Sequence, residues 1–284
     1  GIINGTTNYI LSKMQEEGGS FEEILIKAQE LGYAEADPSA DVDGFDAADK
    51  IGILAALGFN ASVDREDIFC QGIRDINATD IEYAKRLGFV IKLLAIAKRR
   101  GERLQVCVHP TLVPKAHPLA SIHGVNNALF VESSPLGEIM LFGPGAGKGP
   151  TACAVVADLL TLLAHLHTAA PQHTETPHPL LQPQLQQSAT LVPMSDIESR
   201  FYLRLLVRDQ PGVIGDLGVT FGKHQVNLES VVQINCPEPP SSPEKSAEIV
   251  VITDKVKEQQ FQDALQALSE RPSILQSASV IRAF

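Results

Sequence analysis

The chain has 284 residues, 44% of them apolar, enough for two domains with ordinary cores. A net charge of −11 argues against nucleic-acid or anionic-membrane partners, and sparse aromatics without Trp give no base-stacking surface. No signal peptide is visible, and no apolar run reaches about 18 residues, so no membrane span is expected.

The chain begins at Gly1, inside GIINGTTNYIL, which reads as the interior of a domain; a piece of a longer protein is expected. Gly5-Thr6-Thr7 precedes Ile10, Leu11 and Met14 at helical spacing, with Thr6 or Thr7 as cap and Gly18-Gly19 as the stop. Ser20-Phe21-Glu22-Glu23 is a capping box that opens a second helix through Ile24, Leu25, Ala28 and Leu31, stopped by Gly32.

Residues 31–57 carry six acids, Glu35, Asp37, Asp41, Asp43, Asp46 and Asp49, and one cation, Lys50. Pro38 excludes helix early on, and an apolar helix runs from about Gly44 to Gly58. Asp46 and Lys50 lie four apart, on one face, which continues through Ile53, Leu54 and Leu57; Phe45, Ala48, Ile51 and Ala55 line the other. A helix apolar nearly all round is expected to be buried, where two charges are costly unless paired or used. Two simpler readings compete. An exposed i, i+4 pair worth ~0.3–0.5 kcal/mol stays open. A calcium loop in the register Ser39-x-Asp41-x-Asp43-Gly44 fails, because its twelfth position is Lys50 rather than a bidentate Glu. Acids plus one Lys suit a zwitterionic small molecule: carboxylates hold its ammonium, and the lysine holds a carboxylate or polarises an oxygen.

Asn77 or Thr79 caps a helix expected over 78–100, whose Lys/Arg end suits its dipole. Residues 104–113 read as a strand, as do Val125–Val131 and Glu138–Phe142, and Thr151 to His167 as an apolar helix packed in the core. Between Phe142 and Thr151 lies GPGAGKGP, a layout that aims N–H groups at an anion. It matches neither Walker A nor GxGxxG, so a tight glycine turn is the competing reading.

The cysteines Cys70, Cys107, Cys153 and Cys236 are scattered, with no CxxC, and read as buried thiols in a reducing compartment; no metal site is expected. Residues 166–199 are rich in Pro, Gln and His and read as a linker, mobile over 168–188. Residues 200–284 read as strand, helix, strand, strand, helix, strand, with a turn at Asp209–Gly212 and a loop over CPEPPSSPEKS.

GTTNYIL, GYAEADPSADVDGFDAADK and GPGAGKGPTA, in this order and spacing, resemble the substrate domain of homoserine dehydrogenase. RDQPGVIGDLG and VNLESVVQ resemble an ACT domain. The resemblance implies an α+β fold: a substrate domain over 1–165 with helices on one face of a mixed sheet, then a ferredoxin-like ACT domain over 200–284. It implies NAD(P)-linked interconversion of aspartate semialdehyde and homoserine, in threonine and methionine biosynthesis, in the cytoplasm. By that resemblance Glu35 and Asp41 hold the substrate ammonium, and Asp46 and Lys50 sit at the carbon that exchanges hydride. Thr6 and Tyr33 line the pocket. Gly143, Gly145, Gly147 and Lys148 close over the cofactor. Asp209, Gly212 and Asn227 are the expected effector positions, threonine the expected effector and a homo-oligomer the expected assembly.

The family's N-terminal dinucleotide-binding domain has no counterpart here, nor do its proposed acid/base lysine and the monovalent-cation site beside it. The chain alone is therefore expected neither to hold NAD(P) tightly nor to turn over. A non-catalytic amino-acid-binding or oligomerisation module is the alternative.

Overall fold

The computed structural model describes residues 1–168, 187–235 and 246–284. Helices α1 (Gly5–Glu17), α2 (Phe21–Glu30), the short α3 (Ser39–Val42) and α4 (Phe45–Phe59) come first. Strands β1 (Ala61–Ser62) and β2 (Phe69–Cys70), helix α5 (Ala78–Arg86) and the long hairpin β3 (Phe89–Arg100) and β4 (Arg103–Pro114) follow. A second hairpin, β5 (Asn126–Ser133) and β6 (Gly137–Pro144), leads into α6 (Lys148–Thr168). After β7 (Gln187–Ser188) come β8 (Glu198–Arg208), α7 (Val213–Lys223), β9 (Leu228–Asn235), β10 (Ser246–Thr253), β11 (Val256–Lys257), α8 (Glu258–Ser269) and β12 (Ile274–Ala283).

The C-terminal strands run in the order β12-β8-β10-β9, antiparallel throughout, which is the ferredoxin-like order. This sheet does not stop at the unit's edge. β12 pairs parallel with β4 through Arg282↔Thr111 and Ala283↔Leu112, β2 pairs with β4 next to it on the same edge, and β3 covers the other edge, so one mixed eight-stranded sheet crosses both halves. Strand alternation then divides the core. Phe201, Leu203, Leu205 and Val207 of β8 pack with Phe221, Phe261 and Leu268 of α7 and α8. Tyr202, Val250 and Ile281 join the other cluster, beside Ile10, Ile24, Ile51 and Tyr83 of the N-terminal helices.

Several expectations hold. The Ser20–Glu23 capping box is present, with both reciprocal bonds. Asn77 caps α5 by accepting from Asp80 N. The three strands expected over 104–142 form, two of them as the separate β5–β6 hairpin.

Others need correction. Asn4, not Thr6 or Thr7, caps α1, accepting from Thr7 N at 2.9 Å. The helix expected over 78–100 ends at Arg86: Gly88 takes φ +86°, and residues 89–100 form β3, because their apolar side chains complete the sheet against β4. Helix α4 buries only one side, Ala47, Ala48, Ile51 and Ala55, while Ile53 is 62% and Leu57 77% exposed. Apolar character all round did not reveal which sides are covered.

The core role expected for the 151–167 helix is not met. Val155, Leu159, Leu160 and Leu163 of α6 are each more than half exposed, and no described residue covers them. Of the thiols, Cys107 is buried, Cys70 half-buried and Cys153 exposed on α6, while Cys236 lies outside the described residues. Within the expected linker, 169–186 lies outside the described residues, as does 236–245 of the expected loop. The linker's remainder is held: β7 pairs parallel with β1, Leu104 N donates to Thr190 O, and Val192 N to Leu104 O.

Candidate active site

The acid-bearing turn is built by position-specific backbone choices. Pro38 sits at the N-cap of α3, and Gly44 joins α3 to α4 with φ +85°. A Cβ at Gly44 would also crowd Cys70 Sγ at 3.0 Å, so glycine is needed for both reasons. The underside of the turn rests on residues 70–74. Ile73 N donates to Val42 O at 2.8 Å, and a Cβ on Gly72 would overlap Val42 O and Asp43 Cα.

Asn4, only 4% exposed, unites the acids. Its Nδ2 donates to Asp41 Oδ1 at 2.6 Å and to Asp46 Oδ2 at 2.8 Å, using both amide hydrogens. Lys50 Nζ donates to the same Asp46 oxygen at 2.7 Å and to Ile3 O at 3.3 Å. The burial expected for this pair is not met: the side chains are 31% exposed for Asp46 and 47% for Lys50. At that exposure the ion pair contributes at most about 1 kcal/mol, so stability does not account for it. Nor does it stand free, since Asn4 and Ile3 hold it against the start of α1.

The other acids divide sharply. Asp43 is held by Arg74, with Nε–Oδ1 at 2.5 Å and Nη2–Oδ2 at 3.1 Å, and Asp49 by Arg65 at 2.9 Å. Asp37 accepts from Ser39 Oγ and N, which holds its carboxyl below the usual range. Among the described residues, Glu35 and Asp41 have no cationic partner. Arg65 and Arg74 lie outside the acidic stretch and went unrecognised in the sequence, as did Asn4. The only trace of Asn4 was a good capping residue one position before Gly5-Thr6-Thr7.

Thr6 and Tyr33 are brought together: Thr6 Oγ1 donates to Tyr33 O at 2.7 Å, and the Tyr33 ring lies tilted 5.0 Å from that of Tyr9. Glu35 follows directly, its carbonyl accepting from Gln29 Nε2 at 2.9 Å.

The glycine turn reaches this region through the segment Gly1–Gly5. Ile2 bridges Ala128 of β5 in both directions, and Asn127 lies opposite Gly143 of β6. Gly145 is packed against the Asn127 side chain so closely that a Cβ would overlap it, and Asn127 Oδ1 is buried without a partner. Gly143 and Gly149 face open space, and Gly147 takes φ +114°. Lys148 opens α6. The bare backbone at Gly143 and Gly149 leaves room for a ligand to approach the turn, while the orphaned Asn127 oxygen is an acceptor that calls for an N–H or O–H donor rather than a phosphate.

The effector positions are not gathered at one point. Gly212 caps α7 with φ +98°, and Asp209 accepts from Gln233 at 3.4 Å at the Arg208 end of β8. Asn227 precedes Leu228, which pairs with Thr253 at the opposite end of the sheet. Some seven strand residues separate the two ends, roughly 23 Å.

Buried Lys92 lies behind α1. Its Nζ donates to Ile122 O at 2.5 Å and Asn8 Oδ1 at 3.0 Å, while Asn8 Nδ2 donates to Gly124 O at 2.9 Å. Burial draws its ammonium down to about 8.

Comparison with known proteins fits this geometry. A homoserine dehydrogenase family profile matches residues 1–160, and an ACT domain profile residues 201–273. The chain is 52% identical over 288 residues to a homoserine dehydrogenase of Synechocystis, covering 99% of this chain and 64% of the relative. It is 40% identical over 282 residues to that of Bacillus subtilis, covering 99% and 63%. The crystal structure of a homoserine dehydrogenase from Thiobacillus denitrificans superposes with a TM-score of 0.89 at 36% identity, covering 100% of this chain and 63% of that one. The chain thus spans just under two thirds of the length of these relatives.

Proposed function

The chain belongs to the homoserine dehydrogenase family, and from that premise we propose that it supplies the substrate-binding, catalytic and regulatory portions of an NAD(P)-dependent enzyme interconverting L-aspartate 4-semialdehyde and L-homoserine in the cytoplasm. One observation carries the reading. Asp43, Asp46 and Asp49 each have a cation, whereas Glu35, Asp37 and Asp41 have none among the described residues, and of these Asp37 is turned onto Ser39. The other two carboxylates without a cation, one of them (Asp41) joined through Asn4 to the Asp46 that holds the lysine, are complementary to an amino acid whose far end carries the reacting oxygen.

In this account Glu35 and Asp41 take the substrate ammonium, and Thr6 and Tyr33 flank it. Lys50 has three N–H donors and gives one to Asp46 and one to Ile3 O, so one remains for the reacting oxygen. A fixed ammonium there stabilises the negative charge that develops on oxygen as hydride moves. Asp46 holds the lysine in place. Gly143, Gly145, Gly147 and Lys148 would hold one edge of NAD(P), which supplies or accepts the hydride. A non-catalytic module, the alternative, has no use for the spare donor of Lys50.

The chain has no strand–GxGxxG–helix fingerprint, so by itself it is inferred not to turn over. Calorimetric titration with L-homoserine is expected to give saturable heat that Asp41→Asn abolishes. NADPH oxidation with aspartate semialdehyde at a normal rate would refute the inferred lack of turnover. The ACT unit is proposed to bind threonine in a homo-oligomer, with Asp209 and Gly212 on one protomer and Asn227 from its partner. A threonine titration without heat or thermal shift counts against that.

A further inference from the structure

The Cys70–Arg74 segment touches both the acid-bearing turn and the ACT unit. On the turn side it donates from Ile73 N to Val42 O, packs Gly72 against Asp43, donates from Cys70 Sγ to Asp43 O at 3.3 Å, and pairs Arg74 with Asp43. Val42–Gly44 lies between Asp41 and Asp46, so anything that moves residues 70–74 moves the two acids that share Asn4.

On its other side, Gln71 Oε1 accepts from Arg282 Nη1 at 2.9 Å. Arg282 belongs to β12 and is 7% exposed; its Nε and Nη2 donate to both oxygens of Glu258, at 2.9 and 2.7 Å, and its guanidinium lies over the Phe69 ring. Glu258, 6% exposed, is the first residue of α8. A bidentate buried pair has one geometry, and its fork aims the remaining nitrogen at Gln71. The same segment is pinned a few residues on, where Arg204 Nε of β8 meets buried Asp80 Oδ1 of α5 at 2.7 Å.

We propose that Gln71 and Arg282 are positioning residues of the substrate site: Arg282, oriented by Glu258 of α8, holds Gln71 and thereby sets the placement of Asp41 and Asp46. This rests on reading those acids as part of the substrate site. The ACT unit is on this account built into the site's support, so a shift of α8 is felt at the substrate ammonium without any contact to it.

The test uses the full 284-residue chain, with L-homoserine calorimetry and hydrogen–deuterium exchange on the same samples. Gln71→Met removes the acceptor and leaves the Arg282–Glu258 pair intact. Amides of residues 41–47 are expected to exchange faster and the homoserine dissociation constant to rise roughly tenfold, with β8 and α7 unchanged. Gln71→Glu keeps the acceptor and is expected to restore both. Glu258→Gln, confined to the ACT unit, is expected to speed the same amides.

Parent-like exchange and affinity in Gln71→Met overturn the proposal. So does a uniform rise in exchange along the chain, or a Glu258→Gln change confined to α8. If the parent itself gives no homoserine heat, the substrate reading fails, while the exchange pattern still decides the positioning.

Discussion

The side-chain amide of Asn4 donates to Asp46 Oδ2 at 2.8 Å, the same oxygen that Lys50 holds at 2.7 Å. A second hydrogen of that amide holds Asp41, and the side-chain oxygen caps α1. One residue thus performs a local and a long-range task at once.

Asn4→Leu removes both. Loss of the cap costs about 1 kcal/mol, and two carboxylates are left facing each other without a bridge. The melting midpoint is expected to fall by a few degrees, in keeping with about 1 kcal/mol. Homoserine affinity is expected to fall further than that stability loss explains, read by calorimetry at a temperature where the variant is fully folded.

Lys50→Met is expected to leave stability within about 0.5 kcal/mol of the parent, because its ion pair is half in water. In an enzyme competent for turnover, the same change is expected to cost at least about a hundredfold in kcat. Denaturant melts and NADPH kinetics separate the two effects. A large stability loss with modest kinetic loss would reverse the assignment.

Much of this arrangement was legible in the sequence. The capping box at Ser20, a cap at Asn77 or Thr79 and the succession of C-terminal strands and helices follow from local chemistry alone. What could not be read depends on distant partners. FVIKLLAIA carries helical as well as strand character, and only pairing with β4 decides it. The burial of α4 and α6 depends on what lies against them, and the apolar pattern names no partner. Arg65 and Arg74 neutralise Asp49 and Asp43 from well down the chain, so which acids are left without a cation emerges only in three dimensions.

The two halves share one sheet and one buried polar network. Asp80 is fully buried and accepts from Arg204 Nε and from Tyr202 OH at 3.0 Å. Asp80→Asn removes one charge of that pair and is expected to cost about 3 kcal/mol. Calorimetry is expected to show a single unfolding transition for the parent and a lower midpoint for the variant. Two well-separated parent transitions would contradict the shared core.

Lys92 makes stability depend on pH in a definite direction. Its folded pKa is about 8, against an ordinary value of 10.5. Between those values the unfolded chain binds more protons, so the contribution of this group to stability rises with pH and levels off above 10.5. Lys92→Met removes the titration. The parent is therefore expected to gain stability relative to the variant from pH 8 to 10 in urea melts, and a difference independent of pH would show that the ammonium is not desolvated.

The most direct test of the central claim compares L-homoserine with 4-hydroxybutyrate, which keeps the carboxylate and hydroxyl but lacks the ammonium. If Glu35 and Asp41 take that ammonium, calorimetry on the chain shows saturable binding of homoserine and none of 4-hydroxybutyrate. Equal binding of the two, or binding of homoserine that survives Glu35→Gln together with Asp41→Asn, would contradict it.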